Sequence, residues 1–234
     1  MKRYRSKTTL RDSKPLWCTI LLALTSPLHA ADILPLTRDC EIALALSAGP
    51  ASLQESAGVF VLGEEGYELA RESGNGYHCL VERNHPESII PQCFDASSRN
   101  GNVQIILDEG ALLRAGASFD ELADYRTEAL ATDRYPLPGY GVIYMISAFN
   151  YIANPGGLVH VAPHVMFHAP YLTNEDIGSD RGEVLENRGL PMINSEGRHG
   201  VMVSFVDHGS DSSLVAEQCA GQLPDEGGMV AFPP

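Results

Sequence analysis

Beyond Lys14 the 234-residue chain contains no lysine. An ammonium group forms Schiff bases, grips phosphate in a P-loop and serves the Ser-x-x-Lys acylases, so the rest of the chain supports none of these chemistries. A Gly-x-Ser-x-Gly elbow and a His-Glu-x-x-His pair are also missing, which disfavours the standard serine and metal-helix hydrolases. Gly74-Asn75-Gly76 is too short and too turn-like for a dinucleotide fingerprint. After residue 30 no run is apolar over the ~20 residues that a membrane-spanning helix needs. Nor is there a linker, internal repeat or low-complexity segment, so a single domain is expected over 31–234.

Positive charge is scarce and unevenly placed. Lys2, Arg3, Arg5, Lys7, Arg11 and Lys14 crowd the start, an apolar run follows from Leu16 to Leu24, and then comes Ser26-Pro27-Leu28-His29-Ala30-Ala31. This order of basic, apolar and small-residue regions predicts a signal peptide over 1–30, with cleavage after Ala30. Cys18 lies too early for a lipoprotein site, and Arg3 and Arg5 are not a twin-arginine pair. The reading implies a periplasmic or extracellular protein with no membrane anchor after cleavage. Residues 31–234 then carry ten arginines against 29 acidic residues, a net charge of −19. Such a charge repels phosphate backbones and argues against nucleic-acid binding.

Four cysteines remain in that segment, Cys40, Cys79, Cys93 and Cys219. In an oxidising compartment an even number predicts two disulfides, and four cysteines allow three pairings. The favoured pairing is Cys79 with Cys93, a short loop whose closure is worth about 3 kcal/mol in the chain-entropy model, and Cys40 with Cys219, which ties the ends of the domain together.

Thr37 to Ser47 reads as a helix, with Thr37 as cap, acidic residues in its first turn and Gly49-Pro50 as its stop. From Gly58 the pattern becomes an antiparallel meander, with Val59 to Leu62, a strand from Tyr67, and Tyr77 to Arg83. Pro86 and Pro91 suggest a loop. Asn102 to Arg114 has helical spacing, and Ser118 to Glu121 is a capping box opening a second helix. Strands return at Tyr140 to Ile146, Leu158 to Phe167, Leu190 to Asn194 and Val201 to Val206, and a turn-rich tail begins near 208. The expected class is α+β, a mainly antiparallel sheet with an N-terminal helix and a central helical pair.

Three histidines stand four apart in His160-Val161-Ala162-Pro163-His164-Val165-Met166-Phe167-His168. On a helix two of them could share a zinc ion; on a strand they would lie ~13 Å apart, too far for one metal. Pro163 and the alternation favour a strand. The metal version pairs His164 with His168 on a short helix and takes a third ligand from His199, Asp207 or His208. The loop from Asn174 to Glu183 places oxygens at Asn174, Asp176 and Asp180 as part of a calcium loop would, without the EF-hand register. A solvated turn or helix cap is the simpler account.

The stretch Pro163 to Gly178, with Gly189-Leu190-Pro191 and Glu196-Gly197-Arg198-His199 downstream, resembles a group of exported bacterial hypothetical proteins without an assigned activity. The resemblance covers about a third of residues 31–234 and implies export but no mechanism. A tyrosine often stands in that group where His168 stands here, which directs attention to His164 and His199. The expected role is therefore a non-catalytic binding or envelope-associated domain without a cofactor. The alternative is a hydrolase-like enzyme using His164 and His199, with zinc or calcium held among His164, His168, His199, Asp176 and Asp180.

Overall fold

The computed structural model describes residues 33–85, 87–154, 157–224 and 230–231. The expected signal peptide over 1–30 and its expected cleavage site lie outside the described residues. The elements run α1 (Arg38–Ser47), α2 (Ala51–Gln54), β1 (Gly58–Leu62), β2 (Tyr67–Arg71), β3 (His78–Glu82), β4 (Ile90–Phe94), a 3-10 turn (Ala96–Ser98), α3 (Asn102–Arg114) and α4 (Phe119–Ala131). They continue with β5 (Val142–Met145), β6 (Tyr151–Asn154), β7 (Gly157–His160), β8 (His164–His168), α5 (Arg181–Glu186), β9 (Met192–Ser195), β10 (Val201–Phe205), α6 (Ser213–Gln218) and β11 (Val230–Ala231). The fold is α+β with its N-terminal helix in place. Its main sheet has eight strands in the order β2-β1-β3-β4-β5-β8-β10-β9, antiparallel at every pairing except β1 with β3. A smaller sheet orders β11-β7-β6.

Period-two alternation gives the large sheet two apolar faces. Val59, Val61, Cys79, Val81 and Cys93 point toward α1, whose Cys40, Leu44 and Ala45 are fully buried. The neighbours Phe60, Leu80, Phe94 and Ile143 point the other way and pack on Val103 and Ile106 of α3. Capping follows the expected chemistry: Thr37 Oγ1 accepts from Cys40 N, and Ser118 and Glu121 form a full capping box. At Gly110 a Cβ would lie 2.4 Å from Tyr67 Cδ2, so only glycine lets this ring pass under α3 while its hydroxyl donates to Val81 O at 2.6 Å.

Both disulfides join the favoured partners, Cys40 to Cys219 and Cys79 to Cys93. The second links directly opposed residues of β3 and β4, whose Cα atoms are 4.0 Å apart. That separation belongs to a pair that does not exchange backbone hydrogen bonds. Val81 and Pro91, two residues along, are opposed in the same way, so β3 does not call on the N–H that Pro91 lacks. Pro91 thus sits in a five-residue buried strand and not in a loop. The tail past 208 includes α6 as well as turns, held against α1 beside the Cys40–Cys219 bridge. No helix among the described residues is long and apolar enough to cross a membrane.

Candidate functional site

On the α3 side of the sheet, α3 and α4 cover one end, while Val184 of α5 packs on Met192 and Val203 at the other. Between them lies a cleft of three adjoining cavities of about 170, 470 and 320 Å³, all touching Arg126. Cavities of this size hold small ligands. The floor is the strand row Glu82, Gln92, Phe94, Ile143 and Met166; Leu130 of α4 forms one wall, and Val203, Phe205 and Val161 form the far end.

Arg126 is the electrostatic centre. Its Nη1 lies 2.7 Å from Glu82 Oε1, its Nε donates to Glu109 Oε1 at 2.7 Å, and its Nη2 pairs with Glu109 Oε2. Gln92 Nε2 donates to the other Glu82 oxygen. Both carboxylates are buried, whereas the arginine side chain keeps 30% of its surface exposed. Burial pushes the Glu109 carboxyl above its usual range, and Arg126 opposes that shift. Burial also works against the Arg126 charge, but Glu82 and Glu109 outweigh it and raise its pKa. Two carboxylates and one guanidinium leave one negative charge, and every nitrogen of Arg126 already has a carboxylate partner.

The histidines separate. His164 is 5% exposed and lines the far cavity, while the half-buried His199 lines the two cavities beside α4. These cavities share Arg126, and two of them also share Glu82, Gln92 and Met166, so the sequence-based pair opens onto one cleft. The His164 Nδ1 lies 2.8 Å from Ala162 O. A carbonyl only accepts, so the hydrogen-bond geometry assigns the proton to Nδ1 and leaves the Nε2 lone pair as an acceptor. Burial holds the His164 pKa below its ordinary value, which keeps that lone pair available.

The run from 160 to 168 holds no helix: it is the end of β7, the connection 161–163 and then β8, two strands of different sheets where the sequence pattern predicts one continuous strand over Leu158 to Phe167. His160 ends β7 and His164 and His168 begin and end β8, ~13 Å apart at about 3.3 Å per residue. His168 instead faces Ser98 Oγ, 2.9 Å from its Nε2. Serine and imidazole at that distance suit nucleophile activation. Ser98, however, is fully buried and borders none of the three cavities, so the pair ties the 3-10 turn to β8. Asp176 accepts from the N–H and hydroxyl of Thr173, and Asp180 caps α5 through the Gly182 and Glu183 amides. Asn174 is spent on the backbone of Ile193 in β9. Asp207 borders a different cavity with Arg188 and Ala162, and His208 is exposed. Among the described residues, no three His, Cys, Asp or Glu side chains gather as a metal site.

Sequence reasoning passed over Glu82, Gln92, Glu109 and Arg126. Their signal was a charge on an apolar stripe: Leu122, Arg126 and Ala129 share one helical face, as do Ile105, Glu109 and Leu113. Comparison with protein-family models, with curated proteins and with solved structures finds no match to this chain.

Proposed function

We propose that the domain is a non-catalytic binding protein of an exported compartment, holding a small neutral or cationic ligand in the cleft around Arg126. The observation that carries this reading is the floor of the cleft: a guanidinium whose three nitrogens each face one of two buried carboxylates, with apolar walls on either side. An anion would meet a net negative floor of two carboxylates and one guanidinium, whereas a neutral or positive molecule does not. Two disulfides and the basic leader support export. Among the described residues no serine or cysteine side chain is hydrogen-bonded to the imidazole of His164 or His199, and Ser195 Oγ donates only to the His199 backbone carbonyl, which favours binding over covalent hydrolysis.

Nile red, an uncharged dye that brightens in apolar surroundings, tests the cleft. Its emission should rise with the folded protein and fall for Thr127→Trp, a change at an exposed α4 position bordering the cleft. Equal brightening by both proteins would place the dye elsewhere and remove the support. Turnover of p-nitrophenyl acetate that disappears in His164→Ala or His199→Ala would instead establish the hydrolase alternative.

A further inference from the structure

Three of the six methionines in the chain, Met145, Met166 and Met192, line the same cavity as His164. They come from β5, β8 and β9, and the sheet brings them together. Met145 is directly opposite His164 across the β5–β8 ladder, and Met166 is two residues from His164 on the same face of β8. Met166, Val203 and Met192 then form one cross-strand row, which places Met192 about 10 Å from Met166 at ~4.8 Å per strand. Methionine side chains are long and unbranched enough to converge across that span.

From this juxtaposition we infer that His164, Met145 and Met166, with Met192 as a further donor, form a site for a cuprous ion. Thioether sulfur is a soft donor and selects soft, low-charge metal ions; joined to one imidazole it suits Cu(I) and discriminates against calcium and magnesium. The imidazole is arranged as a ligand would be. Its Nδ1–H is anchored on Ala162 O, the outer hydrogen bond that orients metal-binding histidines, and its Nε2 lone pair is unprotonated. His164 is one of few polar residues buried in this core, and the hydrogen bond to Ala162 accounts for only one of its two nitrogens. Glu82 and Arg126 border this cavity, and together with Glu109 behind them they form a net negative cluster, which opposes an anion more than a monocation. This inference rests on the binding reading above and names the ligand at one end of that cleft.

Methionine also fills irregular cores without binding anything, and leucine replaces it there at similar volume. The test uses that equivalence. Protein comprising residues 31–234 is titrated anaerobically with Cu(I) against bathocuproine disulfonate, beside Met145→Leu, Met166→Leu, His164→Asn and the control Met202→Leu. Met202 is opposite Phe167 on β10 and so points to the other sheet face. One Cu(I) per chain should bind, with affinity falling by at least about tenfold in the first three variants and unchanged in the control. Failure to take Cu(I) from the competitor, or uptake that survives both leucine variants, overturns the proposal. Melting of each metal-free variant and its Nile red emission are measured in parallel. Retained dye binding with no Cu(I) uptake defeats the cuprous site alone, whereas loss of both in the unaltered protein defeats the cleft reading as well.

Discussion

Met145 and His164 face each other across neighbouring antiparallel strands, and both side chains line one cavity under the sheet. Their meeting depends on strand order, because β6 and β7 intervene in the chain but leave this sheet to form the small one. With β6 and β7 in the small sheet, β5 pairs directly with β8 and brings its residues to the cleft.

Arg126 should be the most sensitive surface-reaching position in the fold. Breaking a buried ion pair from one side typically costs about 3–5 kcal/mol, because the other charge is left unpaired. Arg126→Gln strands Glu82 and Glu109 together and should lower the denaturation midpoint accordingly. Glu109 already has a raised pKa from burial, and losing Arg126 raises it further. A carboxyl that binds its proton more tightly folded than unfolded adds stability as pH falls. The variant should therefore regain midpoint relative to the unaltered protein between pH 7 and pH 5, and the double change with Glu109→Gln should weaken that recovery. Urea denaturation at each pH reads both effects.

Gly110→Ala reverses the ordinary helix rule. Alanine gains about 1 kcal/mol over glycine in a helix interior, but its Cβ would enter the Tyr67 ring edge. Overpacking of a filled core costs about 1–3 kcal/mol, so the variant should melt lower. Tyr67→Leu in the same background should remove most of the loss.

The two disulfides differ in reach. Cys40–Cys219 spans 179 residues and Cys79–Cys93 spans 14. In the chain-entropy model the longer loop constrains the unfolded chain more, by roughly 2 kcal/mol. Replacing Cys40 and Cys219 by alanine should therefore cost more than replacing Cys79 and Cys93, as read from denaturant midpoints. Thiol titration of denatured, unreduced protein comprising residues 31–234 should find no free cysteine.

What the sequence revealed was local or covalent. Thr37 and the Ser118 capping box mark helix starts because their hydrogen bonds join residues three apart. Cysteine parity and spacing pointed to the bridges, and Pro163 with the alternating Val161, Val165 and Phe167 pointed to strand at His164. Pro91 was misleading because proline is tolerated where a strand pair exchanges no hydrogen bond, and register is invisible in one chain segment. Glu82, Glu109 and Arg126 escaped for a related reason. Each looks like an ordinary surface charge until the stripe it shares with apolar neighbours is seen to face inward. The methionines carried no motif, since 145, 166 and 192 become neighbours only through the strand order β5-β8-β10-β9.

The central claim is that a soft cation sits among the methionines on the cleft face of the sheet. Methyl NMR of protein carrying ¹³C at the methionine methyl groups, titrated with Ag(I) as a closed-shell stand-in for Cu(I), tests it most directly. The account predicts that the Met145, Met166 and Met192 methyl signals move and saturate at one equivalent while Met202 stays still. Movement of Met202 alone, or no movement of the three at one equivalent, would contradict it.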